Sequence, residues 1–284
     1  MKIKSIMRRV VITPIYNFFV CDILGEIKDR GIWRSQNDQE LSLLKNKHNN
    51  ERCFIIGSGP SLRIEDLDIL YEKKEKTISC NRMYQAFNLT KWRPDYMCIV
   101  DEPLMKKIYK DLLSSDISIV LTTKQIKKYI SSKFNGKLPK KVLGTTLKCN
   151  FTYPFKRKFS GNALKYTYPA RTVATYMIEM AVYMGFKEIY LIGIDCNYAM
   201  TKTKDGKIVE QVGQKNYFLD SYAEQKSIDI YNDHNYIFPD FEAAKKYANA
   251  HKIKIYNATR GGKLEIFDRI CLDKIFENSS INGE

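Results

Sequence analysis

Histidine is scarce in this 284-residue chain, with three copies, and no two of its seven cysteines form a CxxC pair. That scarcity argues against a structural zinc site, which needs paired thiols or closely spaced imidazoles. The cysteine count is odd, and Cys53 and Cys98 lie in or beside apolar runs. A disulfide scaffold is therefore disfavoured, and reduced, buried thiols in a cytoplasmic protein are expected. Acidic residues are outnumbered, 32 against 47 Lys and Arg, which leaves a net charge of +15. Helix-turn-helix, zinc-finger and RNP signatures are missing, so sequence-specific nucleic acid is not the expected partner. An anionic bilayer face or a phosphate-bearing ligand fits the scattered positive charge better.

Long apolar runs are missing as well. Val10–Leu24 is largely apolar, but Pro14, Asn17 and Asp22 interrupt it. It is too short and broken to cross a bilayer, and no small-residue cleavage site follows, so it does not read as a signal peptide. Two readings stay open. The segment can lie on a membrane, with Lys2, Lys4, Arg8 and Arg9 near anionic headgroups, or it can pack on its own domain.

From Arg52 onward, short apolar runs stopped by turn residues predict buried strands. They are Cys53–Gly57, Thr77–Cys80, Tyr96–Val100, Ile117–Thr122, Lys141–Leu143, Glu188–Ile192 and Lys252–Tyr256. Helical spacing marks Thr172–Met184, with Gly185 as its stop, and Asp240–His251, with Asp240 as its cap and His251 on its apolar face. Alternation of strands and helices predicts an α/β, Rossmann-like fold with a mostly parallel sheet covered on both faces. The expected organisation is a helical appendage at 1–50, a catalytic domain at 51–271 and a tail at 272–284. Residues 201–235, polar and rich in tyrosine, break the rhythm and read as a lid-like insertion.

Gly57-Ser58-Gly59-Pro60-Ser61 directly follows the first strand. Ligands of parallel sheets bind at the carboxyl ends of strands. The two glycines would let the backbone approach a ligand, Pro60 suits a first helical turn, and free amides there favour anions. The loop is neither Walker A nor GxGxxG, and a tight turn without a ligand is the plainer alternative. Asn81 and Asp101 end the second and third strands and would face the same rim, where either could touch a ribose or only shape its turn. Asp101 could also hold a metal or act on an acceptor. Asp195, in Gly193-Ile194-Asp195, and Thr172 form a second corner, and Tyr198 could reach a phosphate. His234, beside Asp233, is the best general-base candidate.

The series GSGPSL, Cys80-Asn81, RPDYMCIVDEPL (Arg93–Leu104), YMGFKEIYLIGIDCNY (Tyr183–Tyr198) and KIKIYNATRGGKLEIF (Lys252–Phe267) resembles the MptE-like family, also described as domain of unknown function 115. That family includes archaeal 6-hydroxymethylpterin diphosphokinases and glycosyltransferases assigned to surface-polysaccharide and flagellin-glycosylation clusters. The layout is also similar to bacterial CMP-sialic-acid-dependent sialyltransferases. The resemblance covers about residues 52–267. It implies donor or nucleotide contacts at Gly57, Ser58, Gly59, Pro60, Ser61, Asn81, Asp101, Thr172 and Asp195, with His234 and Tyr198 catalytic. Departures are GSGP for GNGP, Asn197 where a phosphate-binding Tyr stands, and Val173-Ala174 for Ser-Gly. They bear on the donor sugar more than on the nucleotide fold.

The resemblance implies a peripheral, cytoplasmic glycosyltransferase of surface-glycan synthesis. Its donor would be a nucleotide sugar, CMP-linked by preference, and its acceptor a glycan or lipid-linked sugar, with no obligatory metal. The alternatives are magnesium-dependent transfer of diphosphate from ATP to a pterin alcohol, and a non-catalytic nucleotide-binding module. An oligomer stays open.

Overall fold

The computed structural model describes residues 12–149, 157–169, 171–197, 200–202, 208–210, 218–219, 231–232 and 234–281. Its centre is an eight-stranded sheet in the order β11-β10-β6-β1-β2-β3-β4-β5, and every pairing in it is parallel. The strands are β1 (Arg52–Ile56), β2 (Lys76–Cys80), β3 (Tyr96–Cys98), β4 (Ile119–Thr123), β5 (Lys141–Thr145), β6 (Glu188–Ile192), β10 (Lys254–Asn257) and β11 (Asp268–Arg269). Within the 201–235 region, β7 (Met200–Lys202) pairs with β8 (Ile208–Glu210) and β9 (Tyr231–Asn232) in a separate small sheet. The expected α/β, Rossmann-like class is what the chain adopts.

Both faces of the sheet are buried, which is why its strands are apolar without alternation. Cys53 and Ile55 of β1 point into one core, with Leu143, Met177 and Phe241. Phe54 and Ile56 point into the other, with Leu67, Met97 and Leu112. Successive strand residues face opposite ways, so one run feeds two cores. The helix Val173–Tyr183 is buried almost all round, as its uniformly apolar sequence requires.

The chain winds from β1 outward to β5 and then returns to place β6 on the other side of β1. Strand order therefore reverses between β6 and β1, and the crevice beyond their carboxyl ends is where ligands of such sheets sit.

Several local expectations are corrected. Helix α8 (His234–Ala250) starts six residues before Asp240 and carries Pro239 inside it. Asp240 caps nothing there. Its carboxylate accepts the Arg171 amide at 3.0 Å and pairs with Arg157 at 3.1 Å, so tertiary partners outweigh the local capping signal. His251 is exposed and stacks on Tyr247 instead of entering the core. His48, in what reads as a polar linker, is buried between the Tyr96 hydroxyl (2.8 Å) and Glu51 (3.1 Å), and it stacks on Phe186. The last β-run starts late because Lys252 turns the chain at φ +55°. Residues after Cys271 form a helix, Leu272–Ile281, which buries Leu272, Ile275 and Phe276. In the appendage, Leu41 and Leu44 join the first core. No described helix is long and apolar enough to cross a membrane.

Candidate functional site

Three loops interlock at the β6–β1 switch point, and glycine makes the fit. The Gly57 amide donates to Ile192 O (2.8 Å) and the Gly59 amide to Gly193 O (2.9 Å). A Cβ on Gly57 would fall 2.4 Å from Gly193 O, and one on Gly59 would fall 1.8 Å from Asp195 Oδ2. Neither glycine has a positive φ, so space and not backbone angle demands glycine. Gly193 does have one (+65°), and a Cβ there would press on Gly57 O at 2.7 Å. From the third loop, a Cβ on Gly262 would sit 2.8 Å from Asp195 O, and the Lys263 amide donates to that same carbonyl.

Asp195 is the clasp of this arrangement. It is 8% exposed, and Ser61 Oγ donates to its Oδ2 at 2.9 Å. Burial pushes its carboxyl above the ordinary 3.8, opposed by the Ser61 hydrogen bonds that favour the ionised form. Thr259 adds a further stitch by accepting the Ile194 amide at 3.1 Å.

This geometry revises the expected phosphate cradle. The amides of Gly57 and Gly59 are spent on the β6 loop. Pro60 and Ser61 form a turn, and the following helix α4 (Ile64–Glu72) begins only at Ile64. Its amino end is filled by Asp66, which accepts the Arg63 amide (3.0 Å) and holds Arg260 through two bonds of 2.6 and 2.7 Å. Asp66 therefore occupies the position that an anion would take at that helix start. Asp101 is the N-cap of α5 (Glu102–Ser114), accepting the Leu104 amide at 2.8 Å. Thr172 caps α7 (Val173–Tyr183) through the Ala174 amide at 3.3 Å. Tyr198 lies outside the described residues. His234 is the first residue of α8, and its side chain also lies outside them.

What the rim does offer is hydrogen-bond acceptors. Among the described residues, four buried side-chain oxygens have no partner: Asn81 Oδ1, Gln85 Oε1, Asn197 Oδ1 and Asn17 Oδ1. All four lie beyond strand carboxyl ends. Asn81 and Gln85 follow β2, Asn197 follows β6, and Asn17 packs where its Nδ2 meets Cys149 O, past β5. An orphaned buried oxygen costs on the order of 1–3 kcal/mol unless a ligand or water completes it. Asn81 also sits at φ +56°, and Cys196, beside Asn197, at +48°. Asn81 and Asn197 flank the glycine loop, because their strands are the neighbours of β1. Sequence reasoning singled out Asn81 but missed Gln85, the acceptor at Asn197 and Gly262. The paired glycines at 261–262 were the available signal for the last.

A further rim segment, Arg157–Tyr168, is organised by Glu179. This carboxyl is buried and accepts the amides of Ser160 (2.8 Å) and Tyr168 (3.2 Å), while burial drives its pKa well above the carboxylate range. No group of three His, Cys, Asp or Glu placed to hold a metal occurs among the described residues.

A family model described as 6-hydroxymethylpterin diphosphokinase MptE-like matches residues 34–201, more than half of the chain. Among solved structures, the chain is similar to the MAf glycosyltransferase from Magnetospirillum magneticum AMB-1, with 14% identity and a TM-score of 0.46 over 83% of this chain. It spans 38% of the length of that protein. No curated protein matches the chain.

Proposed function

The chain belongs to the MptE-like family, and from that premise we propose that it is a glycosyltransferase whose donor is a nucleotide-activated sugar bound across the β6–β1–β2 rim. The observation that carries this reading is the pair of unpartnered oxygens, Asn81 Oδ1 and Asn197 Oδ1, on either side of the glycine loop. Acceptors in that position suit the hydroxyl and amino hydrogens of a nucleoside, and a CMP-linked, sialic-acid-like sugar is the donor favoured.

Within this reading, Gly57, Gly59 and Asp195 shape the floor and do not cradle phosphate. Ser58 and Ser61 line its edge. The departing phosphate falls to Tyr198 and to the amino end of α7 at Thr172. His234 takes the proton from the acceptor hydroxyl, leaving an alkoxide-like oxygen to attack the anomeric carbon as the bond to phosphate breaks. A single phosphate leaving group needs no obligatory metal. The acceptor is a glycan or lipid-linked sugar of bacterial surface-polysaccharide synthesis, met on the inner face of the cell membrane.

The family model's description also names diphosphate transfer to a pterin. That chemistry would call on magnesium held by carboxylates such as Asp101 and Asp195. Each already accepts a hydrogen bond, Asp101 from the Leu104 amide and Asp195 from Ser61, through an oxygen whose carboxylate partner stays open to a ligand. A thermal-shift screen with CMP, UDP, GDP and ATP, each with and without magnesium, separates them. Stabilisation by CMP without metal is expected. Stabilisation by ATP with magnesium alone would transfer the assignment to the diphosphokinase, and no response to any nucleotide would favour a non-catalytic module.

A further inference from the structure

The helix that opens the described chain is amphipathic the wrong way round. It runs through Thr13–Tyr16, a π-helical stretch Asn17–Ile23 and Leu24–Asp29. Its inward stripe is polar or small. Asn17 Nδ2 donates to Cys149 O (2.5 Å), Cys21 Sγ lies 3.7 Å from Leu147 O, and Lys28 Nζ lies 3.5 Å from Thr146 Oγ1. Gly25 sits against Lys165, where a Cβ would be 3.3 Å from the lysine Cβ. Its outward stripe is apolar, with Ile12, Ile15, Phe18 and Phe19 each more than half exposed and Ile23 at 41%. A helix in a globular protein normally does the reverse. Clustered exposed apolar side chains of this kind mark a docking surface.

Charge identifies what docks. The first 21 residues carry Lys2, Lys4, Arg8 and Arg9 and no acid. The acids further along are neutralised from the protein side: Asp22 by Lys148, Glu26 by Lys165 and Arg30, and Asp29 by Lys45. The exposed face is thus apolar, and the sequence that leads into it is cationic, the complement of an anionic lipid surface.

We propose that this helix lies in the headgroup layer of an anionic bilayer through Ile12, Ile15, Phe18, Phe19 and Ile23. Its inward anchors, Thr146–Cys149, directly follow β5 at the carboxyl rim of the sheet. Docking therefore brings the rim beside the lipid surface. That the acceptor is lipid-linked rests on the transferase reading, whereas docking itself needs no turnover.

The test is sedimentation of the full chain with vesicles of phosphatidylcholine alone, and of equal parts phosphatidylcholine and phosphatidylglycerol. Wild type should bind the anionic vesicles and respond to salt. Phe18→Ser with Phe19→Ser should weaken partitioning at least about tenfold, with the melting temperature unchanged because both rings are exposed. Replacing Lys2, Lys4, Arg8 and Arg9 by Gln should weaken anionic-vesicle binding by up to about fivefold per charge at low salt. Absence of vesicle binding by wild type overturns the proposal. So does a wild-type dimer, seen by light scattering, that the Phe double variant splits while vesicle binding is absent. Nucleotide-induced stabilisation, measured separately, reports on the transferase reading and can fail without affecting vesicle binding.

Discussion

Gly59→Ala tests the interlocked loops most sharply. The added methyl would lie 1.8 Å from Asp195 Oδ2 and 2.7 Å from Gly193 O, and neither can withdraw freely. Asp195 is buried and tied to Ser61, and Gly193 O already accepts the Gly59 amide. Overpacking of a tight site costs about 1–3 kcal/mol. Displacing the carboxylate from Ser61 adds about 1.5–3 kcal/mol, since the acceptor is buried and charged. A net loss of about 3 kcal/mol should lower the melting temperature by roughly 6–9 °C. Asp195→Ala removes the worst clash, so the double variant should be less destabilised than the sum of the singles, with coupling of about 1 kcal/mol or more. Thermal and urea unfolding of the four proteins measure this. If Gly59→Ala melts with wild type, or the two changes are strictly additive, the loops do not interlock through Asp195.

Three other perturbations have definite expected outcomes. Burial holds the His48 imidazole below its ordinary 6.5, partly offset by Glu51, so the unfolded chain takes up a proton first as pH falls. Stability should therefore decline as pH drops through about 6.5, and His48→Gln should flatten that slope in melting curves, an unchanged slope counting against it. Glu179→Ala strands the buried amides of Ser160 and Tyr168 and should cost about 2–5 kcal/mol in urea unfolding, with Glu179→Gln intermediate. Equal losses for the two would show that the carboxyl does not hold the segment. His234→Ala should lower transfer from a nucleotide sugar by about 10²–10⁴-fold while nucleotide binding persists, and full activity would remove His234 as the base.

The sheet was legible in the sequence because each strand is a short apolar run with a turn residue at its end, and burial on both faces leaves no other pattern. Glu188–Ile192 and Thr77–Cys80 were found with their observed ends, or one residue inside them. The short β11 escaped because two polar residues, Asp268 and Arg269, carry no hydrophobic signal. The start of α8 escaped because Pro239-Asp240 imitates a helix start, and only the folded chain brings Arg157 and Arg171 to that aspartate. The rim was located by Gly57–Ser61 and Asn81, yet the task of its glycines was misread. A glycine's sequence signal is the same whether a ligand or another loop comes close. The neighbour at Gly59, a carboxylate 136 positions later in the chain, is a product of topology alone.

Calorimetric titration of CMP into wild type and Asn81→Ala tests the central claim directly. The unpartnered Asn81 oxygen should be completed by the nucleotide, so the variant should bind about tenfold or more weakly, while its own melting temperature changes little, because loss of an unsatisfied buried acceptor offsets the about 1–2 kcal/mol that alanine costs at φ +56°. Equal CMP affinity in the two proteins, or no heat of binding in wild type, would contradict a nucleotide site at this rim.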